Sequence, residues 1–294
     1  MKIGIQGFLS EQSVHPAALA RKVEALGFES LFVPEHPVIP VNTKEPYAGA
    51  ADGKLPEYYA HFPDPFVILT IAATVTSRIR LGTCVLLVAE HEPLVTAKQV
   101  ATLDHYSGGR FIVGIGAGWL PDECEIMKVD FKRRWPMARE YVRAMKEVWT
   151  RPEASFRGEF ISFPPLKSYP KPAQKPHPPV LVGAGGLNWK CARAVRDTVE
   201  WADGWLPVEL SAEDLASNLG TMKKLCAERS RDFSRIEITV FLLPDSKPWT
   251  TKDPKALLRE YEQAGAHRLI LSPSSVSPDT YEKELEEMAR KYLI

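Results

Sequence analysis

One stretch indicates the fold of this chain: Ser-Gly-Gly-Arg-Phe-Ile-Val-Gly-Ile-Gly-Ala-Gly-Trp, at residues 107–119. Its adjacent glycines, Gly108 and Gly109, predict a turn, because glycine adopts positive φ without steric cost. The apolar run from Phe111 to Ile115 predicts a strand buried on both faces. Gly116-Ala117-Gly118 then lets the backbone approach a flat ring or a phosphate closely, with a tight turn as the equal alternative. The spacing lacks the Gly-x-Gly-x-x-Gly order of dinucleotide-binding sites.

Strand and helix patterns alternate on both sides of this stretch. We predict strands at residues 3–8, 30–33, 79–87, 111–115, 179–182, 204–207, 236–241 and 267–271. We predict helices at residues 16–26, 64–77, 93–106, 122–127, 135–149, 188–200, 212–230, 254–264 and 279–292. Parallel strands need crossovers of this length, and eight of them favour a (β/α)8 TIM barrel over an open doubly wound sheet. We expect a single domain at 1–294, with long insertions at the carboxyl-terminal face of the barrel.

The composition limits the kinds of partner that this chain is expected to bind. Lys plus Arg equals Asp plus Glu at 37 each, so neither nucleic acid nor an anionic membrane is expected. The chain has no apolar run of about 18 residues. It begins with a strand pattern rather than a signal peptide, which predicts a cytoplasmic protein. The cysteines and histidines show no metal-ligand spacing, so we expect neither a metal site nor a disulfide framework.

In such a barrel the loops after the strands build the active face. The longest loops follow strand two, at residues 34–63, and strand four, at residues 119–178. Glu35 and His36 open the first of them. An imidazole suits proton transfer near neutral pH, and a neighbouring carboxylate can raise its basicity. A structural pair that caps a proline-bounded loop is the alternative.

Two other strand ends carry small residues. Gly82-Thr83-Cys84-Val85 lies late in strand three and indicates either a bulge or a buried strand with Cys84 as a small hydrophobe. Gly183-Ala184-Gly185-Gly186 lies between a strand and a helix, where backbone N–H groups favour a phosphate; a flexible turn is the alternative.

Aromatic side chains are frequent at the same predicted face. Phe8 ends strand one, Trp119 follows the strand-four glycines, and Tyr59 and His61 lie on the long loop. They either enclose a substrate or pack the loop against the barrel. No nucleophile triad and no dominant carboxylate pair is evident, so a bound cofactor is expected to carry the chemistry.

The sequence resembles the bacterial luciferase-like monooxygenase superfamily, and within it the F420-dependent oxidoreductases, along nearly the whole chain. The most specific part is PLVTAKQVATLDHYSGGRFIVGIGAGW at residues 93–119. Further support comes from Gly27-Phe28-Glu29-Ser30, Pro178-Pro179-Val180 and Ala202-Asp203-Gly204-Trp205.

This resemblance implies a barrel that binds a reduced flavin or deazaflavin at its carboxyl-terminal rim. It implies a non-prolyl cis peptide at Cys84-Val85 that supports the ring, a close approach to the ring at Gly116 and Gly118, and a phosphate cradle at Gly183, Ala184, Gly185 and Gly186. His36 matches the histidine that F420 enzymes place beside the ring. Dimers are common in the superfamily, which leaves a homodimer open.

One position departs from the pattern. Some F420-dependent sugar-phosphate and alcohol dehydrogenases have a catalytic Glu directly after the strand-four glycines, where this chain has Trp119. Glu35 or another loop residue would have to replace that acid. The resemblance therefore implies hydride transfer between deazaflavin carbon 5 and a small organic substrate, with His36 transferring a proton and Glu35 orienting it. The alternatives are an FMNH2-dependent monooxygenase served by a separate reductase, or a non-catalytic flavin-binding protein.

Overall fold

The computed structural model describes residues 1–47, 53–186, 190–243 and 252–293. Its strands are β1 (Lys2–Gln6), β2 (Ser30–Val33), β3 (Arg80–Thr83), β4 (Leu86–Leu87), β5 (Phe111–Gly116), β6 (Ala154–Arg157), β7 (Ser162–Leu166), β8 (Val180–Val182), β9 (Gly204–Trp205), β10 (Glu237–Leu242) and β11 (Arg268–Leu271). Its α-helices are α1 (Pro16–Leu26), α2 (Pro65–Val75), α3 (Pro93–Tyr106), α4 (Pro121–Ile126), α5 (Arg134–Thr150), α6 (Ala192–Trp201), α7 (Ala212–Glu228), α8 (Pro254–Ala264) and α9 (Tyr281–Tyr292).

The strands close into a parallel barrel. β1 pairs with β2 and β11, β2 pairs with β3, and β3 pairs with β5. The circuit continues through β8, β9 and β10 back to β11. β3 and β4 both pair with β5, one after the other along the same side of that strand. Together they fill one position of the barrel, which therefore has eight strand positions. The predicted (β/α)8 TIM barrel is confirmed.

Local sequence signals explain where the outer helices begin and end. Asp64 and Asp253 cap α2 and α8, each accepting a hydrogen bond of 2.9 Å from a first-turn backbone N–H. Each cap precedes a proline at the first helical position, whose fixed φ suits a helix start. Gly27 adopts the left-handed conformation that ends α1. The helices predicted at 16–26, 93–106 and 254–264 have the predicted bounds.

Apolar side chains form two separate cores. The larger core lies between the strands and the surrounding helices, and includes Leu19, Leu69, Val100 and Trp149. The smaller core fills the inside of the barrel and consists of Phe32, Cys84, Ile112, Leu181, Leu206, Phe241 and Ile270. The functional face therefore lies above a packed interior rather than above an open channel.

A buried ion-pair network lies among the first residues of the strands. Arg268 is fully buried, and its guanidinium binds both carboxylate oxygens of Glu29 at 2.7 and 2.8 Å. It also binds Glu237 and, at 3.0 Å, the hydroxyl of Thr239. These bonds satisfy the buried charge and link the starts of β2, β10 and β11.

The sequence misplaced two features. The strand predicted at 79–87 is broken into β3 and β4, because Cys84 and Val85 leave the ladder between them. The segment 119–178 contains an antiparallel hairpin, β6–β7, that the prolines concealed: Pro164 and Pro165 lie in β7 of a two-stranded sheet, where strands are edges and tolerate proline. The helix predicted at 188–200 is observed as α6, and residues 188 and 189 lie outside the described residues.

In residues 1–47, 53–186, 190–243 and 252–293, no helix is both long enough and apolar enough to cross a membrane.

Replacing Arg268 by Met should lower the free energy of unfolding by about 3–5 kcal/mol, because it leaves two carboxylates without their buried partner. Urea unfolding measures the loss. Lys167→Met removes an exposed ion pair to Glu153 and serves as the control, with little expected change. Equal small effects of both variants would show that the Arg268 network is not a stabilising unit.

Candidate active site

The peptide bond between Cys84 and Val85 is cis and joins β3 to β4. The N–H of Cys84 donates to the carbonyl of Val33 at 2.8 Å, and the Gln6 side-chain amide donates to the carbonyl of Cys84 at 3.3 Å. Hydrogen bonds to Val33 in β2 and to Gln6 in β1 thus hold this part of the chain in place. The cis bond lies at the position that the family resemblance implies.

The side chain of Val85 packs against two glycines at the strand ends. A Cβ atom on Gly116 would lie 2.7 Å from Val85 Cγ2, and one on Gly183 would lie 2.3 Å from Cγ1. Real Cβ contacts are longer, so both positions require glycine while Val85 occupies this place. Gly116 therefore makes room for Val85, a more immediate reason than the approach to a ring suggested by the sequence.

Gly118 faces two buried side chains rather than open space. Its φ is 82°, and a Cβ there would lie 2.7 Å from Glu90 Oε1 and 3.0 Å from the sulfur of Cys124. Arg134 Nε donates to the carbonyl of Gly118 at 2.8 Å. The turn after β5 is thus fixed by polar contacts from its own surroundings.

His36 forms a buried pair with Glu123, a residue that the sequence analysis did not identify. Nδ1 of His36 lies 2.8 and 3.0 Å from the two carboxylate oxygens of Glu123, which is fully buried at the start of α4. A carboxylate only accepts, so this contact assigns the Nδ1 proton to the bond and leaves Nε2 to exchange a proton with a ligand.

Glu35 does not have the predicted role of orienting His36. One of its oxygens accepts from the backbone N–H of Leu87 at 2.7 Å, and the other lies 2.8 Å from Nε2 of His91. The expectation that Glu35 orients its neighbour is therefore wrong. Adjacent residues at a strand end point in different directions, and each finds a different partner.

The Glu35–His91 contact changes the acidity of His91. Burial alone would lower the pKa of His91, but the hydrogen bond and the negative charge of Glu35 together raise it above its usual value. The rim thus holds two separate carboxylate–histidine pairs, Glu35–His91 and Glu123–His36.

Aromatic rings surround His36. Its ring centroid lies 5.4 Å from that of Tyr59 and 6.3 Å from those of Phe62 and Trp119. Phe8 joins the same group and stacks on Phe62 at 5.7 Å. Three of the predicted pocket residues, Phe8, Tyr59 and Trp119, therefore come together, and the imidazole lies in apolar surroundings.

A pair of hydroxyl groups is the polar feature of this ring cluster. The Tyr47 and Tyr59 oxygens are 2.7 Å apart, and burial, followed by the effect of Tyr47, raises the pKa of Tyr59. His61, also predicted to line the pocket, instead pairs with Glu11 near the surface, with Nδ1 and Oε1 2.7 Å apart.

The turn after β8 keeps only some of its amides available. The N–H of Gly183 donates to the carbonyl of Ile115 at 2.7 Å, so that amide is occupied. Gly185 and Gly186 have φ values of 89° and 84°, and Trp205 Nε1 donates to the carbonyl of Ala184 at 2.7 Å. The Gly183 amide, and the Gly186 amide that hydrogen-bonds to Cys191, are therefore not free for the phosphate that the resemblance implies at Gly183–Gly186.

Two guanidinium groups, those of Arg193 and Arg134, lie near each other. Arg193 is exposed at the start of α6 and is close enough for its charge to act on Arg134. Burial first, with the charge of Arg193 acting in the same direction, lowers the pKa of Arg134. Positive charge at the start of a helix favours an anionic ligand there.

The sequence analysis missed Glu90, His91 and Glu123. All three follow the ends of strand three or strand four, which was the available signal. Their importance depends on which side chains meet across different loops, and that is a property of the fold rather than of spacing along the chain.

Comparison with known proteins identifies the family of this chain. A profile of the luciferase-like monooxygenase family matches residues 11–291, and the chain belongs to that family. Members of the family are oxidoreductases, monooxygenases among them. Within the part of the chain that the structure describes, no group of three or more His, Cys, Asp or Glu side chains could hold a metal ion.

Three similar proteins illustrate the range of proteins that this chain resembles, and the names of two of them specify different cofactors. A Mycobacterium tuberculosis protein of uncharacterised function is 37% identical over 292 residues, which cover 99% of this chain and 98% of that protein. The FMNH2-dependent dimethylsulfone monooxygenase of Pseudomonas putida is 34% identical over 116 residues, 38% of this chain and 30% of that enzyme. The F420-dependent tetrahydromethanopterin reductase of Methanopyrus kandleri has the same fold, with a TM-score of 0.74, 19% identity and coverage of 99% and 98%.

Glu35→Gln should lower the pKa of His91, because burial is then opposed only by the weaker effect of the Asp64 charge. A histidine pKa raised by folding stabilises the protein at low pH, and that stability is lost as pH rises through the raised value. The variant should therefore lose more unfolding free energy at about pH 6 than at about pH 9.

NMR titration of the His91 ring and urea unfolding at the two pH values measure these effects. Glu11→Gln, which removes the carboxylate beside the partly exposed His61, is the matched control and should leave the His91 titration unchanged. An unaltered His91 titration in the Glu35 variant would contradict the assigned pairing.

Proposed function

We propose that this chain is an F420-dependent oxidoreductase that transfers a hydride between deazaflavin carbon 5 and a small organic substrate. The observation that carries the proposal is the His36–Glu123 pair, with its contact of 2.8 Å among aromatic rings. A two-electron reduction of an organic substrate needs a proton as well as a hydride. A histidine oriented by a buried carboxylate is suited to provide it.

The residues at the rim fit a flat ring with a phosphate-bearing chain. Val85, packed on Gly116 and Gly183, provides an apolar surface at the barrel mouth. The turn at Ala184 and Gly185, together with the exposed Arg193 at the start of α6, suits a phosphate group. We assign the ring to the Val85 surface and the phosphate to the turn.

The chain's own residues then have distinct tasks. A deazaflavin held there would supply or take up the hydride. Glu123 holds Nδ1 of His36, so that Nε2 gives a proton to the substrate or accepts one from it. Tyr59, Phe62 and Trp119 exclude water from the imidazole and shape an apolar substrate pocket.

A second candidate keeps the fold and changes the reaction. The local sequence similarity to an FMNH2-dependent monooxygenase favours an oxygen-activating enzyme, which would depend on a separate reductase for its reduced flavin. Both cofactors share a tricyclic ring and a ribityl phosphate, so the same surface would serve either. A flavin-binding protein without catalytic activity is the third possibility carried by the resemblance.

Equilibrium binding of the purified protein to F420 and, separately, to FMN distinguishes these candidates. We expect F420 to bind at about micromolar Kd or tighter, with FMN about tenfold weaker. The opposite preference would replace the proposal with the FMNH2 alternative. Failure to bind either cofactor would reject both.

Arg193→Ala should weaken binding of the preferred cofactor by about fivefold to tenfold at low salt, because it removes a charge beside the phosphate. Arg196→Ala, on the same helix and also exposed, is the matched control and should have little effect. The difference between the two variants should shrink as salt is added. Equal affinities for both variants would place the phosphate elsewhere.

His36→Ala should lower kcat by roughly 10²–10⁴-fold while cofactor binding is retained, as expected on removing a general acid or base. Glu123→Gln should lower kcat by up to roughly 10⁴-fold, because a neutral amide no longer fixes the tautomer of the imidazole. Glu125→Gln, at the exposed side of α4, is the control. Unchanged turnover in the His36 variant would remove this residue from the mechanism.

A further inference from the structure

One buried carboxyl group at the rim lacks a full set of partners. Glu90 ends the short 3₁₀ segment after β4 and is only 7% exposed. Its Oε1 lies 3.4 Å from the thiol of Cys124, a weak donor. Its Oε2 is buried and has no hydrogen-bond partner among the described residues. A buried carboxylate anion is normally paired or multiply hydrogen-bonded, and Glu90 is neither.

The neighbours of Glu90 make a negative charge still less favourable. Glu123 from α4 and Glu35 from the loop after β2 both act on Glu90 through their charges. Each of those carboxylates has its own histidine, His36 or His91. The cluster thus has three carboxyl groups and two imidazoles, and Glu90 is the carboxyl group without an imidazole.

One cation that acts on Cys124 is also engaged elsewhere. Arg134 on α5 faces Cys124 and donates from Nε to the carbonyl of Gly118 at 2.8 Å. Its Nη1 donates to the carbonyl of Phe131 at 2.5 Å. Its charge favours the thiolate form of Cys124, yet burial and Glu90 dominate and raise the pKa of that thiol to about 12. Cys124 therefore remains a donor toward Glu90.

We propose that Glu90 is a positioning residue of this site that holds a proton at neutral pH, so that the cluster around Glu123 and Glu35 carries one negative charge fewer than its three carboxyl groups allow. The proposal rests on the proposed function in one respect. It assigns Glu90 the task of keeping the rim's charge low enough to admit an anionic cofactor.

The chemistry of the corner supports this assignment. Burial first, and then the charges of Glu123 and Glu35, raise the pKa of Glu90 to about 8, against a weaker opposite effect of the Cys124 hydrogen bond. Ionisation above that pH would add an unpaired charge close to Gly118 and α4. In a poorly hydrated site such a charge acts on an anionic ligand over several ångströms.

The first test needs no cofactor. The infrared carbonyl band of a protonated carboxylic acid should be present at about pH 6 and should disappear through about pH 8 in the free protein. Glu90→Gln should lose this band, whereas Glu125→Gln, which replaces an exposed carboxylate on α4, should retain it. If the wild-type protein has no such band at about pH 6, the proposal is overturned even if the Glu90 variant does not fold.

Thermal unfolding gives an independent measure. A carboxyl pKa raised by folding contributes stability that is present at low pH and is lost as pH rises through the folded value. The amide introduced by Glu90→Gln cannot ionise, so the Tm of the variant minus that of the wild type should rise from about pH 5 to about pH 8 and then level off. A constant difference at all pH values would indicate a merely structural role and contradict the proposal.

The third test connects Glu90 to ligand binding. The wild-type protein should bind its preferred cofactor roughly threefold to tenfold more weakly at about pH 9 than at about pH 7, and Glu90→Gln should reduce this pH dependence. If the infrared and thermal results hold but neither F420 nor FMN binds, the proposed function fails while the proton on Glu90 stands. If a cofactor binds and the infrared band is absent, the proposed proton on Glu90 is rejected while the proposed function stands.

Discussion

The packing of Val85 into the space left by Gly116 and Gly183 is the constraint on which the rim depends. It requires β3 to leave the ladder at Cys84 and to resume as β4, still paired with β5. After that step Leu86 and Leu87 still pair with β5, and Glu90 and His91 follow them at the carboxyl-terminal ends of the strands. Leu87 and His91 then bind Glu35 from the neighbouring loop. A single interruption in one strand thus determines which polar groups meet.

Buried carboxylates have different partners at the two ends of the barrel. At the amino-terminal end, Arg268 satisfies Glu29 and Glu237 directly, which makes that network suited to stability. At the carboxyl-terminal end, Glu123 and Glu35 pair with the histidines His36 and His91. The same residue type therefore supports the fold at one end and allows proton exchange at the other.

The sequence predicted the barrel well and the site only in part. Helical periodicity, Asp64 and Asp253 caps and the alternation of strands are local signals, and the structure follows them. The hairpin β6–β7 was missed because its prolines are tolerated only at sheet edges, which cannot be recognised before the sheet is known. His36 was identified from its place after a strand, whereas its partner Glu123 is 87 residues away in the chain.

Trp119 explains why that distant partner matters. The family resemblance indicates that related dehydrogenases carry a catalytic Glu directly after the strand-four glycines, so an aromatic residue here removes an acid from the mouth. The chain has a carboxylate four residues further on, at Glu123 in α4, where it contacts His36 instead of open space. The ring of Trp119 lies 6.3 Å from the same imidazole and 5.7 Å from Tyr47. Moving the carboxylate behind the histidine leaves an apolar surface toward the ligand, with the imidazole as the group that can exchange a proton there. We therefore expect the proposed substrate to be uncharged where it meets these rings, because burying an unpaired charge among apolar side chains is unfavourable.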